Sequence, residues 1–271
     1  MSEIKVGDIV SRKSYGGDNP FLVSNVIKKD DGTTVYILRG LQYRIMADAS
    51  LDDLVRHDRR DVYTRIYREA RETRKATMVR GGALPVSFLG RLRSKPGRIL
   101  HVDAVDDFLD MCLKYYQDAG IRAIGHVASE SEQPQVVAGL IKRYQPDILV
   151  LTGHDGLKKN ASLKSIDSYT NSRHFIKSVR EARSIEPSKD KLCIFAGACQ
   201  SYYEAIMGEG ANFASSPGRI LIHALDPGIV SEKIALTDSK KTISPREIIE
   251  LTKSGADGIG GIESRGQLNK F

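Results

Sequence analysis

Short apolar runs that alternate with stretches of helical spacing fill most of the chain after residue 97. Runs that are apolar on both faces are typical of parallel strands covered by helices, and the alternation predicts right-handed crossovers. Five such runs are too few for an eight-stranded barrel, so we expect an α/β fold with an open parallel sheet flanked by helices. A ligand site is expected beyond the carboxyl ends of the strands. The runs are RILHVD (98–103), IRAIGHVAS (121–129), DILVLTG (147–153), LCIFAGA (192–198) and RILIHAL (219–225), and a last helix is predicted over SPREIIELTKS (244–254).

Residues 1–49 have a different pattern, in which β-rich runs are separated by Gly, Asn and Asp turns. The runs FLVSNVIKK and TTVYILRG, joined across DDG, predict a hairpin, and we expect a small SH3-like β-barrel. The pattern of residues 50–90 predicts a basic helical linker whose first helix starts at Ser50. Residues 91–271 are predicted to form the α/β domain. The linker arginines are interpreted as a solvated charged face: Arg59, Arg60, Arg65, Arg68, Arg71 and Arg74.

Composition narrows the function classes. The net charge is +7, but the basic surplus is spread along the sequence rather than gathered in a tract, which does not favour nucleic-acid binding. The N-terminus lacks a signal-peptide pattern, and no run reaches the roughly 18 apolar residues of a membrane helix, so we expect a cytoplasmic protein. The three cysteines are too few and too irregularly spaced for a disulfide framework or a zinc site. A cysteine with a function is therefore expected to be a nucleophile, without a metal.

Two residues with catalytic chemistry follow successive predicted strands. His154 comes after Thr-Gly and Cys199 after Ala-Gly-Ala, small residues that let a substrate approach closely. Because Cys199 also begins the predicted helix CQSYYEAIMG, the positive helix end is expected to favour the thiolate. His154 would then act as general acid and base, and the backbone N–H groups of Cys199 and Gly156 would form an oxyanion hole. The remaining predicted strands carry Asp103, His126 and Asp226 at or near their ends.

Each residue alone also has a structural interpretation. A cysteine after a strand is more often a small buried group, and His with Gly can simply end a strand, so it is the pair that favours catalysis. Cys112 and Cys193 are expected in the core. A glutaminase or amidase would use His223 as its base, although the last glycine of its Gly-x-Cys-x-Gly turn is replaced by Ser201. A third alternative is a non-catalytic module whose barrel and linker bind nucleic acid or an acidic protein. The Gly-rich GADGIGGIESRG (255–266) lacks the features of a phosphate loop and is expected to form a surface turn and tail.

An apolar strand followed by His and Gly, then a second strand ending in Ala-Cys, resembles the caspase, legumain, clostripain and gingipain group of cysteine peptidases. LVLTGHDG and IFAGACQS match this pattern, except that Asp155 stands between His154 and Gly156. With KVGDIVSRKSYGGD, LQYRIMADASLDDL and FAGACQSYYEA, nearly the whole chain resembles the YabG family of sporulation-specific peptidases from spore-forming Firmicutes.

This resemblance implies a caspase-like fold and a cysteine endopeptidase that needs no cofactor. It implies an enzyme of the mother-cell cytoplasm, associated with the forming spore coat, that cuts after Arg in spore coat and cortex-associated proteins. Self-processing is implied too, and the Arg-rich stretch 56–80 is its expected site. Reading a substrate guanidinium requires an acidic S1 pocket. Asp103 is the first candidate, because related peptidases can place this group after the first strand, and Asp155 and Asp226 are further candidates. Each of these carboxylates has a helix cap or turn as its structural alternative.

Overall fold

The computed structural model describes residues 3–17, 19–80 and 94–270. The chain divides into two compact units, Met1–Glu72 and Thr73–Phe271. The predicted α/β class is confirmed for the second unit, and an antiparallel sheet is found in the first. Residues 81–90 of the predicted linker and the first three residues of the predicted α/β domain lie outside the described residues.

The first unit contains a five-stranded antiparallel sheet with the strand order β4-β3-β2-β1-β5. The predicted hairpin is confirmed as β2 paired with β3. Alternate side chains of the strands enclose a small core of Val10, Phe21, Val23, Tyr36, Leu38, Ala49 and Leu54. Closure of this sheet into an SH3-like barrel stays a prediction. The strands are β1 (Ile9–Arg12), β2 (Pro20–Lys28), β3 (Thr34–Gly40), β4 (Met46–Ala49) and β5 (Leu54–His57).

The prediction that a helix starts at Ser50 is wrong. A short 3-10 turn over Leu51–Asp53 is followed by β5, which pairs with β1. The Leu54 side chain is buried in the core of this sheet, and such tertiary packing outweighs local helical spacing. Helix α1 (Arg59–Arg80) begins one turn later, where the Asp58 carboxylate accepts the N–H of Arg60 at 2.8 Å.

The second unit contains a six-stranded sheet with the order β13-β11-β10-β9-β7-β8. Its strands are β7 (Ile99–Asp103), β8 (Ala123–Val127), β9 (Ile148–Thr152), β10 (Cys193–Ala196), β11 (Phe213–Ser215) and β13 (Ile259–Gly261). The first five are parallel and β13 is antiparallel to β11. The helices are α2 (Asp106–Asp118), α3 (Gln133–Tyr144), α4 (Ser172–Ile185), α5 (Tyr203–Gly208), α6 (Asp226–Leu236), α7 (Pro245–Ile249) and α8 (Gly255–Gly258). The second unit also contains two two-stranded sheets: β6 (Ser94–Lys95) pairs with β15 (Asn269–Lys270), and β12 (Thr242–Ile243) pairs with β14 (Ser264–Arg265).

Four of the five predicted strands are confirmed as β7, β8, β9 and β10, but the fifth is wrong. Residues 219–225 form no strand of the sheet: Arg219 adopts a left-handed φ of 57°, and the chain turns into α6 at Asp226. The fifth parallel strand is β11, whose three residues are too short to produce a recognisable apolar run. The apolar character of residues 222–225 reflects burial rather than strand conformation.

The Gly-rich C-terminal segment is not the expected surface turn and tail. It contains α8 and then β13, which forms the edge of the sheet. A side chain at Gly261 would collide with the Phe213 ring, and one at Gly260 would meet Tyr203 Oη at 2.5 Å. These glycines therefore let the edge strand approach its neighbours closely. The predicted last helix is also shorter than expected, because α7 ends at Ile249.

Candidate active site

His154 and Cys199 follow neighbouring strands at the same edge of the sheet. In the parallel pair β9 and β10, Leu151 lies opposite Ala196. His154 lies three residues beyond Leu151, and Cys199 lies three residues beyond Ala196. Because paired strands run about 4.8 Å apart, these equal offsets place the two residues on adjacent loops beyond the carboxyl ends.

Asp155 connects these two loops. Its Oδ1 accepts the N–H of Asn171 at 2.7 Å, and its Oδ2 accepts the hydroxyls of Ser172 and Ser201, the latter at 2.9 Å. The two hydroxyls in turn accept backbone N–H groups on either side of Cys199: Ser201 from Ala198 at 2.9 Å, and Ser172 from Tyr202 at 2.8 Å. One carboxylate therefore joins the histidine loop, the start of α4 and the cysteine loop.

This network does not support two of the sequence assignments. The Gly156 N–H, expected in the oxyanion hole, donates to Asp155 Oδ1 at 2.9 Å. The Asp155 carboxylate accepts four hydrogen bonds from within the protein, which leaves it poorly placed to receive a substrate guanidinium. Burial raises the pKa of Asp155, although these hydrogen bonds partly oppose the shift.

Cys199 does not lie at the start of a helix, so that prediction is wrong. Helix α5 begins at Tyr203, and the intervening turn has a left-handed φ of 56° at Gln200. The Cys199 sulfur instead accepts the backbone N–H of Ile222 at 3.2 Å, and the residue is only 1% exposed. The Cys199 sulfur therefore contacts a backbone N–H donor, that of Ile222, in place of the expected helix N-terminus.

Residues 216–222, which we call the covering segment, lie against the cysteine loop. The Gln200 N–H donates to Ile220 O and to Ser216 Oγ, both at 3.1 Å. Arg219 anchors the segment: its guanidinium donates to Tyr169 Oη at 2.9 Å and to Glu204 Oε2 at 2.5 Å. It also packs over the stacked rings of Tyr169 and Tyr202.

Glu130 is a neighbour of His154 that the sequence analysis missed. Its Oε1 accepts the backbone N–H of His154 at 2.6 Å and lies 3.8 Å from the imidazole Nδ1. The side chain of Glu130 is 14% exposed and that of His154 24%. Glu130 lies three residues after the end of β8. Its position beyond the carboxyl end of a predicted strand was therefore the signal in the sequence that pointed to it.

The other two candidates for an S1 carboxylate are fully buried. Asp103 Oδ1 accepts the N–H of Val105 at 2.9 Å, and its Oδ2 accepts the Thr152 hydroxyl at 2.7 Å. Asp226 lies in the first turn of α6 and accepts the N–H groups of Lys253 and Ser254. Burial also raises the pKa of Asp226. These contacts stabilise local structure and do not support a role in binding arginine.

The other cysteines and His223 lie away from solvent. Cys112 and Cys193 are buried as expected, and burial raises the pKa of Cys193 to about 12. His223, the base of the amidase alternative, is 4% exposed, and its Nδ1 accepts the N–H of Leu225 at 3.1 Å. This hydrogen bond occupies one of the two imidazole nitrogens.

Within the described ranges, no group of three or more His, Cys, Asp or Glu side chains is arranged to hold a metal ion. The helices described in the structure include none with the length and apolar character needed to span a membrane.

Comparison with known proteins gives two matches. The family model described as YabG peptidase U57 matches residues 5–271. The sporulation-specific protease YabG of Bacillus subtilis (strain 168) is 34% identical over 280 residues, covering 98% of this chain and 97% of the relative. No solved structure matches the chain significantly.

Proposed function

The chain belongs to the YabG peptidase family, and we propose that it is a cysteine endopeptidase of sporulation with Cys199 as nucleophile and His154 as general acid and base. Membership of a peptidase family makes the chain a hydrolase with protein substrates. The observation that carries the catalytic assignment is the equal offset of His154 and Cys199 beyond paired residues of β9 and β10. The role in sporulation follows the name of the relative.

In the proposed reaction, His154 takes the proton of the Cys199 thiol while the sulfur attacks the carbonyl carbon of the scissile bond. The tetrahedral intermediate collapses when the imidazolium donates its proton to the departing amine, which leaves a thioester. His154 then removes a proton from water, which attacks the thioester. The C–S bond breaks, the acid product leaves, and the imidazolium returns its proton to the Cys199 sulfur. The hydrogen bond from Ile222 to Cys199 supports this assignment, because a backbone donor stabilises a thiolate.

Cleavage after arginine, in spore coat and cortex-associated proteins, is the finer part of the proposal and rests on the family resemblance. Self-processing within residues 56–80 belongs to it as well. Most of that stretch is helix α1, and a peptidase acts on extended chain, so a cut there requires local unfolding of the helix. The mother-cell cytoplasm and the forming spore coat are the proposed locations.

The proposal is tested by incubating wild type and Cys199→Ala with an arginine-containing protein and mapping the cuts by mass spectrometry. We expect cuts after arginine with wild type and none with the variant. Cleavage by Cys199→Ala would overturn the nucleophile, and cuts without a basic P1 residue would overturn the specificity. His154→Ala and His223→Ala separate the peptidase from the amidase alternative: loss of turnover only in His223→Ala would favour the amidase.

A further inference from the structure

We propose that Glu130 is a positioning residue that holds the His154 loop and stabilises the imidazolium form during turnover. This inference rests on the proposed role of His154 as general acid and base. Two contacts carry it: the 2.6 Å hydrogen bond from the His154 backbone N–H, and the 3.8 Å separation between Glu130 Oε1 and His154 Nδ1.

Small residues at the end of β7 and before His154 leave room for the Glu130 side chain. Strand β8 is separated from β9 by β7, so Glu130 must reach past the end of β7 to contact His154. A side chain at Gly153 would collide with Glu130 Oε1 and would lie 3.0 Å from the Ala104 Cβ. The glycine before His154 is therefore required for Glu130 to approach.

The neighbouring Glu132 has a different role. Its Oε2 accepts the N–H of Ser129 at 3.0 Å and the Ser129 hydroxyl at 2.6 Å, closing the turn that leads into α3. Glu130 lies in the same turn, but its carboxylate is directed to the histidine loop. The two glutamates thus provide a matched pair, one facing the site and one confined to local structure.

The two contacts have separate effects. The backbone hydrogen bond fixes the turn that presents the imidazole. A distance of 3.8 Å is too long for a hydrogen bond to Nδ1, so the second effect is electrostatic. His154 becomes positively charged each time it takes the thiol proton, and a partly buried carboxylate within about 4–6 Å favours that charged form. Asp155 is a second acidic group, adjacent to His154 in the chain, and it accepts hydrogen bonds from Ser172 of α4 and from Ser201 of the cysteine loop.

The variant that tests the inference is Glu130→Gln, because the amide oxygen can still accept the His154 N–H while the negative charge is removed. We expect kcat to fall about tenfold with KM changed less than threefold, since substrate binding does not use this group. In the proposed mechanism His154 must be neutral to take the thiol proton, so its protonation sets the acidic limb of the pH profile of kcat/KM. Because the imidazolium loses a stabilising charge in Glu130→Gln, this acidic limb should move to lower pH by about 0.5–1 unit.

Glu132→Gln is the control, and it should lower the thermal unfolding midpoint without moving the pH profile. An unchanged pH profile in Glu130→Gln, or an equal shift in Glu132→Gln, would overturn the inference. A second measurement does not depend on activity: NMR titration of the His154 ring in a Cys199→Ala background, with and without Glu130→Gln. A lower titration midpoint supports the contact, and an unchanged midpoint overturns it. Cleavage by Cys199→Ala would instead overturn the proposed nucleophile while leaving the NMR result intact.

Discussion

At the scale of single residues, Asp155 accounts for the departure from the His-Gly pattern of related peptidases. Its carboxylate is held at the centre of the site by donors from the histidine loop, from α4 and from the cysteine loop. A group that accepts four hydrogen bonds inside the protein serves best to maintain geometry. The extra residue between His154 and Gly156 thus connects the loops that carry His154 and Cys199.

We expect Asp155→Ala to lower the free energy of unfolding by about 2–4 kcal/mol, because buried donors lose their acceptor. It should also reduce kcat by at least about 100-fold, because the loops of His154 and Cys199 would no longer be joined. Ser201→Ala removes a single link and should cost less in both measurements. Chemical denaturation and steady-state kinetics test this, and wild-type kcat in Asp155→Ala would contradict it.

At the scale of elements, the covering segment lies over Cys199, the proposed nucleophile. The segment contacts Gln200 and Cys199, and the cysteine is 1% exposed, so we expect a substrate or reagent to reach the sulfur when residues 216–222 move. Arg219, through Tyr169 and Glu204, resists that movement.

We therefore expect Arg219→Ala to increase the rate of Cys199 alkylation by iodoacetamide about tenfold, because local opening becomes more frequent. Peptide mapping distinguishes Cys199 from the buried Cys112 and Cys193. Arg173→Ala is the control, since its exposed ion pair with Asp167 contributes little to stability. Equal alkylation rates in the wild type and Arg219→Ala would show that Arg219 does not hold the segment.

A buried ion pair joins helix α1 to α6. Arg74 Nε lies 3.1 Å from Glu232 Oε1, and the two side chains are 16% and 4% exposed. Burial raises the pKa of Glu232, and the charge of Arg74 opposes that shift. Loss of Arg74 would leave a buried carboxylate without this counter-charge.

Arg74→Met should therefore lower the free energy of unfolding by about 3 kcal/mol at neutral pH. The folded-state pKa of Glu232, already raised, should rise further in the variant, so stability is present below that pKa and is lost as pH rises through it. The deficit should consequently shrink toward pH 5. Arg74→Met combined with Glu232→Gln should recover most of the loss at neutral pH. Denaturation at several pH values tests this, and a deficit independent of pH would contradict the role of Glu232.

At the scale of the whole molecule, the chain has two units with separate cores. The buried residues of the apolar cluster in the first unit lie in its strands, and every residue described around the candidate site belongs to Thr73–Phe271. The Arg74–Glu232 pair also lies within the second unit. The contacts that shape the site therefore do not require residues of the first unit.

We expect a fragment covering Thr73–Phe271 to fold and to cleave a short arginine-containing peptide within about threefold of the full-length kcat/KM. The apolar cluster around β7, β9 and β10 and the described contacts of the candidate site are formed by residues of this fragment. Circular dichroism melting and peptide hydrolysis test this, with the fragment carrying Cys199→Ala as the control. Absence of a cooperative melt, or activity reduced more than tenfold in a folded fragment, would contradict the assignment of the site to this unit.

Much of the second unit was predictable from local pattern. Strands β7, β9 and β10 are buried on both faces, so their apolar runs were diagnostic. Strand β8 lies at the edge of the sheet and is partly exposed, but its run was still apolar enough to be recognised. Strand β11 has three residues and β13 lies among glycines, so neither produced such a run. Strand β5 was hidden by helical spacing, because its place in the sheet depends on pairing with the distant β1.

The sequence by itself determined which residues follow the strands of the sheet, and hence that His154 and Cys199 lie at one edge. This was possible because the spacing of apolar residues reports burial and period, which are local properties. Only the tertiary structure decided what those residues contact. Asp155 accepts a hydrogen bond from Ser201, 46 positions away in the sequence, and Cys199 accepts one from Ile222, 23 positions away. Hydrogen bonding depends on atoms meeting in space at the correct distance and angle, which no local pattern records.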